Sequence, residues 1–123
     1  MNESKPTILI VEDDKFNHLY LNAVLKQNYE LISSYTAEQA LKYLDEKSID
    51  LILMDISLKG AMNGIELTRK LRQMPVYKDV PVIAMTGYVT TEDRQMCFDA
   101  GCNSFLAKPF NEFQLIQNIK KYV

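Results

Sequence analysis

Several things are scarce in this chain, and each scarcity excludes something. Cysteine occurs only at Cys97 and Cys102. That spacing fits neither a CxxC redox pair nor a zinc-ligand pattern, so both read as small buried hydrophobes in a reducing cytosol. No apolar run approaches the roughly 20 residues that cross a bilayer. The opening residues, MNESKP, lack the apolar stretch of a signal peptide. Neither membrane insertion nor export is therefore expected. The formal net charge is only −2, which gives no electrostatic case for direct nucleic-acid binding. Repeats, low-complexity tracts and internal linkers are also missing. A single domain over residues 1–123 is expected, and it is long enough to bury a core. Apolar residues make up 47% of the chain, which argues against disorder.

What is present is an alternation of strand-like and helix-like segments. The first strand is expected over about Thr7 to Val11. Phe16, Leu19, Tyr20, Ala23 and Val24 then recur at helical spacing, giving a helix over roughly 15–27. A weaker strand follows near Glu30 to Ser34. Thr36 opens the next helix, with Gln39 three residues on as a capping box and Ala37, Ala40, Leu41 and Leu44 as its buried face. The third strand runs from about Ile49 to Asp55. A turn-rich loop, Lys59 to Gly64, leads into a helix near 64–74 carrying Ile65, Leu67, Leu71 and Met74. Pro75 and Pro81 bracket a connector before the fourth strand, about Val82 to Met85. Thr90 or Thr91 caps a weakly amphipathic helix with Met96, Cys97 and Ala100 as its main apolar residues, and Gly101 stops it. Phe105 to Ala107 is the last strand, and a helix over about 111–122 buries Leu115, Ile116 and Ile119. The pattern is (βα)5. Strands apolar at nearly every residue imply helices on both faces of a parallel sheet, and right-handed crossovers favour a doubly wound α/β arrangement.

Chemistry-bearing residues fall at the ends of these apolar runs. Asp55 ends Leu51-Ile52-Leu53-Met54. Glu12-Asp13-Asp14 follows Ile8-Leu9-Ile10-Val11. Thr86-Gly87 follows Val82-Ile83-Ala84-Met85, and Lys108-Pro109 follows Phe105-Leu106-Ala107. Sites in parallel α/β sheets form at the carboxyl ends of strands. Acids, a hydroxyl and an amine converging on one rim suit a magnesium-assisted phosphoryl transfer onto Asp55. Asp14 reads as a cap of the first helix.

With these motifs in order, the chain resembles a receiver domain of two-component response regulators over about residues 6–122. The resemblance implies a flavodoxin-like sheet of strand order 2-1-3-4-5. It implies a phosphorelay role in which Asp55 accepts a phosphoryl group from a phosphohistidine on a sensor histidine kinase or phosphotransfer protein. Asp13 and Asp55 would bind magnesium, with manganese as the alternative, together with the backbone carbonyl of Ser57, while Glu12 acts through water. Lys108 would neutralise charge on the phosphoryl group, aimed by a Lys108–Pro109 bond of a type often cis. Thr86 would be the switch hydroxyl, Gly87 the small neighbour, and Phe105 the aromatic that turns inward when Thr86 moves. The output surface would be the fourth helix, fifth strand and fifth helix, with Tyr88, Met96, Phe110 and Phe113 near it. The resemblance further implies a cytoplasmic signalling domain rather than an enzyme, a monomer or phosphorylation-dependent dimer, acting on an unknown downstream protein or output domain.

Some features depart from that pattern. The loop from Asp55 to Gly64 is one residue longer than usual, and Lys59-Gly60-Ala61-Met62 stands where a proline is expected. Ser57 and Tyr88 occupy variable positions that tune phosphate lifetime: a bulky Tyr88 would screen water, and a small Ser57 would admit it. The one histidine, His18, lies in a helix of an alternating fold rather than an all-helical phosphotransfer bundle, so it reads as a surface or satisfied residue. An aspartyl phosphatase of the haloacid-dehalogenase kind would need a second aspartate where Ser57 stands, and a substrate cap. A receiver-like module that binds without being phosphorylated would not need all of Asp55, Thr86 and Lys108. No helix-turn-helix follows the last helix. The sequence as given fits a free-standing regulator or a receiver from a hybrid kinase or larger regulator, and not a transcription factor by itself.

Overall fold

Five parallel strands form one sheet in the order β2-β1-β3-β4-β5, with β1 Thr7–Val11, β2 Glu30–Ser34, β3 Leu51–Asp55, β4 Val82–Thr86 and β5 Ser104–Ala107. The structure is a computed structural model and describes residues 4–87 and 90–123. The helices are α1 Lys15–Leu25, α2 Ala37–Glu46, α3 Gly64–Arg72, α4 Thr91–Ala100 and α5 Glu112–Lys120, with a 3-10 turn over Pro75–Tyr77. The strand order reverses direction at β1, leaving a crevice at the carboxyl ends of β1 and β3.

Each central strand sends alternate side chains to opposite faces. Leu9, Val11, Ile52, Met54, Val82 and Ala84 meet α2, α3 and α4, while Ile8, Ile10, Leu51, Leu53, Ile83 and Met85 meet α1 and α5. Both sets are fully buried, which is why β3 and β4 show no apolar–polar alternation. β3 begins at Leu51 rather than Ile49, and the last helix ends at Lys120 rather than 122.

The caps follow local chemistry. Asp14 accepts from the Phe16 N–H to start α1. Thr36 accepts from the Gln39 N–H to start α2, but the Gln39 carboxamide reaches back one residue further than a capping box, to the Tyr35 N–H. Asn63 and Asn111 cap α3 and α5 with complete boxes. Thr90 is the cap of α4.

One helix faces differently from what its pattern suggests. In α1 the buried residues are His18, Leu21 and Leu25. Most of the apolar stripe instead looks outward, with Phe16 76% and Leu19 59% exposed and Tyr20 also open, while Val24 packs on the core. Periodicity identifies the stripe but not its partner.

Candidate functional site

Asp55 is the last residue of β3 and is 2% exposed, and Glu12, immediately after β1, is 1% exposed. Asp13 stands beside them, and an oxygen from each of the three carboxylates lies within 4.8 Å of the others. Lys108, from the loop after β5, closes the group. Its Nζ is 2.9 Å from Glu12 Oε1 and 3.7 Å from Asp55 Oδ1. The Lys108 N–H donates to the Thr86 carbonyl at 2.8 Å, and the Lys108–Pro109 bond is cis. Thr86 is buried at the end of β4, one residue beyond the register pair of Asp55 with Met85. The space beside Gly87 is open, since a Cβ there would meet nothing within 4 Å. The structure therefore brings Glu12, Asp13, Asp55 and Lys108 together, with Thr86 on the adjoining strand end.

Other groups hold these in place. The Ser57 N–H and hydroxyl both donate to Asp55 Oδ1 at 3.0 Å, so Ser57 fixes the carboxylate's orientation as well as being small. Glu12 Oε1 also accepts from Asn17, and Oε2 from the Asp14 N–H. Asp13 Oδ2 accepts the Lys59 N–H across the long loop. Gly64 begins α3 against the Asp55 backbone: a Cβ there would sit 2.2 Å from the Asp55 carbonyl oxygen. Only glycine allows this approach. Asn17 sits close in sequence to residues that motif reading does find, but nothing in its own identity distinguishes it from ordinary polar surface.

The electrostatics follow from three acids against one amine. Burial pushes the Asp55 carboxyl up to about 6, reinforced by hydrogen bonding and repulsion from Glu12, with Lys108 and Ser57 opposing. Burial also raises Glu12, but hydrogen bonds from Lys108, Asp55 and the Asp14 N–H outweigh it and hold it below its usual value. The three carboxylates with one ammonium leave an excess of two negative charges when all are ionised. A hard divalent cation with oxygen preference fits both that charge and that donor set.

Phe105 lies half-buried on β5, packed toward the α2–α3–α4 face, with the Arg94 guanidinium 5.1 Å from its ring centroid. A cavity of about 340 Å³ between α4, β5 and α5 is lined by Arg94, Phe105, Gln117 and Lys121 among others. Met96 and Phe113 are exposed and Phe110 half-buried. Tyr88 lies outside the described residues. Cys97 and Cys102 are both buried and free. Among the described residues, no helix is long and apolar enough to cross a membrane.

Comparison with known proteins agrees over almost the whole chain. The model of the response regulator receiver domain family matches residues 8–120. The chain is 32% identical over 118 residues to the polar-differentiation response regulator DivK of Brucella ovis, covering 95% of each. It is 38% identical over 122 residues to hybrid signal transduction histidine kinase M of Dictyostelium discoideum, covering 94% of this chain but spanning 5% of that kinase. Among solved structures it is similar to the receiver domain of a sensor histidine kinase from Pseudomonas aeruginosa, crystallised with magnesium in its active-site cleft. The identity is 32%, with 97% of this chain and 98% of that one covered at a TM-score of 0.88.

Proposed function

We propose that this chain, which belongs to the response regulator receiver domain family of two-component systems, accepts a phosphoryl group on Asp55 from a phosphohistidine. The observation that carries the reading is the burial of Asp55 among Glu12, Asp13 and Lys108. An Asp55 oxygen attacks phosphorus and forms the O–P bond of an acyl phosphate. The P–N bond to the donor imidazole breaks, and its electron pair returns to the nitrogen, which takes up a proton. Such transfers proceed through a loose transition state, where positioning and charge stabilisation supply most of the catalysis.

Ser57 orients the attacking carboxylate through its two hydrogen bonds. Asp13, Asp55 and the Ser57 backbone carbonyl would hold magnesium, with Glu12 reaching it through water because both of its oxygens already accept hydrogen bonds. When bound, the ion neutralises excess carboxylate charge and stabilises charge on the transferring oxygens. Lys108 shifts from the acids toward the phosphoryl group. Thr86 donates its hydroxyl to a phosphoryl oxygen, and Phe105 follows, changing the α4-β5-α5 surface.

The donor's landing place is supported by the outward apolar stripe of α1. Phe16 and Leu19 are exposed on the same helix as Tyr20, which with Asn17, Lys108, Pro109 and Phe110 lines a cavity of about 310 Å³. Apolar and aromatic groups next to a polar centre suit a protein partner that must bring its histidine close. This reading makes the chain a cytoplasmic signalling module.

The test is incubation with magnesium and a small phosphodonor, followed by intact-mass measurement. One added phosphoryl group, absent from Asp55→Asn and abolished by chelation, is the expected result. No adduct with any donor would leave only a receiver-like binding module.

A further inference from the structure

We propose that His18 is a positioning residue for the metal-binding turn, clamping the Glu12–Asp13 peptide through an Nε2–H donor. The proposal rests on the reading of Asp13 as a metal ligand given above. Glu12 and Asp13 lie between the end of β1 and the Asp14 cap of α1, so the β1–β2 ladder reaches only the N–H side of Glu12 and leaves the Glu12–Asp13 peptide outside both strand and helix. The Glu12 N–H is held by the Ser34 carbonyl at 3.1 Å. Among the described residues, the donor found for the Glu12 carbonyl is His18 Nε2, at 2.5 Å. The same nitrogen lies 3.2 Å from the Ser34 carbonyl. Helical side chains lean toward the helix N-terminus, so a ring one turn into α1 reaches back to this turn.

Two features show that the donor, and not the ring's bulk, is what this position uses. Both neighbours of Nε2 are carbonyl oxygens, which only accept, so Nε2 must carry the hydrogen. Among the described residues Nδ1 has no hydrogen-bond partner, although His18 is only 3% exposed. The ring itself packs on Tyr35, with centroids 4.2 Å apart. A purely apolar side chain would make a similar contact without an orphaned nitrogen. The cost of that nitrogen is offset by satisfying the otherwise stranded Glu12 carbonyl. Because the peptide group is planar, fixing that carbonyl also fixes the direction in which the chain enters Asp13. The carboxylate of Asp13 is thereby presented beside Asp55 before any ion arrives.

Magnesium titration by calorimetry of wild type, His18→Gln and His18→Leu tests the clamp. Glutamine can place an amide donor near the position of Nε2, and leucine cannot. Wild type and His18→Gln are expected to bind within about threefold of each other, and His18→Leu about tenfold more weakly. Equal binding by His18→Leu and wild type, or equal weakening in both variants, overturns the clamp. Wild type that binds no magnesium overturns instead the reading on which it rests. Nitrogen-15 NMR supplies a second measurement that needs no variant to fold, since the chain contains one histidine. The Nε2–H tautomer is expected, and a hydrogen on Nδ1 alone overturns the proposal.

Discussion

Asp55 concentrates the conflict between stability and chemistry in this molecule. Its carboxyl is pushed up from 3.8 to about 6 by burial and by Glu12. The folded chain therefore binds that proton more tightly than the unfolded chain does. Without metal, this group's contribution to stability is greatest below its unfolded pKa and is lost as pH rises through its folded value. Asp55→Asn removes the buried charge. It is expected to stabilise the metal-free protein at pH 7 by roughly 1–3 kcal/mol and to flatten the pH dependence between about 4 and 6. Urea unfolding at pH 5 and pH 7 measures both effects, and a variant less stable than wild type at pH 7 contradicts the account. Lys108 stands differently, since its ammonium group neutralises the acids it touches. Lys108→Ala should still yield the one-phosphoryl mass adduct, yet diminish the phosphorylation-linked NMR shifts on α4, β5 and α5. Undiminished shifts would remove Lys108 from the switch.

At the scale of elements, the join between β3 and α3 is the most constrained. Gly64→Ala places a methyl group 2.2 Å from the Asp55 carbonyl oxygen. The backbone must yield, at a cost of about 1–3 kcal/mol, and Asp55 moves with it. Chemical denaturation should record the loss, and magnesium affinity should fall in parallel; an alanine variant as stable and as tight as wild type would refute the close approach. Most elements were legible because strong local signals agreed: the buried runs of β1, β3 and β4, the Thr36 cap, and Gly101 in its left-handed conformation ending α4. The site motifs were legible because each ends a strand. Less was visible where long-range packing decides. The apolar stripe of α1 gave the helix correctly but not its orientation, because the sheet is already served by His18, Leu21 and Leu25. Likewise, no periodicity could pair Lys59 with Asp13, which are 46 residues apart, or lay Arg94 over Phe105. Nor could it show that Lys108 sits closer to Glu12, at 2.9 Å, than to Asp55, at 3.7 Å.

For the molecule as a whole, a cation held by the acidic crevice is expected to raise stability. Magnesium at about ten times its dissociation constant should add about 1.4 kcal/mol through mass action, raising the melting temperature by a few degrees. The rise should be larger at pH 7.5 than at pH 5, because Asp55 must lose its proton to bind the ion. Scanning calorimetry with and without chelator tests this, and a shift independent of pH would speak against Asp55 as a ligand. The amine that completes the crevice stands 96 residues from the acid it touches, with the rest of the sheet threaded between them. Folding must therefore bring β5 into the sheet before the two can meet. A chain whose β5 has not yet joined the sheet carries the same acids but cannot assemble the same pocket, so a complete crevice doubles as proof that the whole sheet has closed.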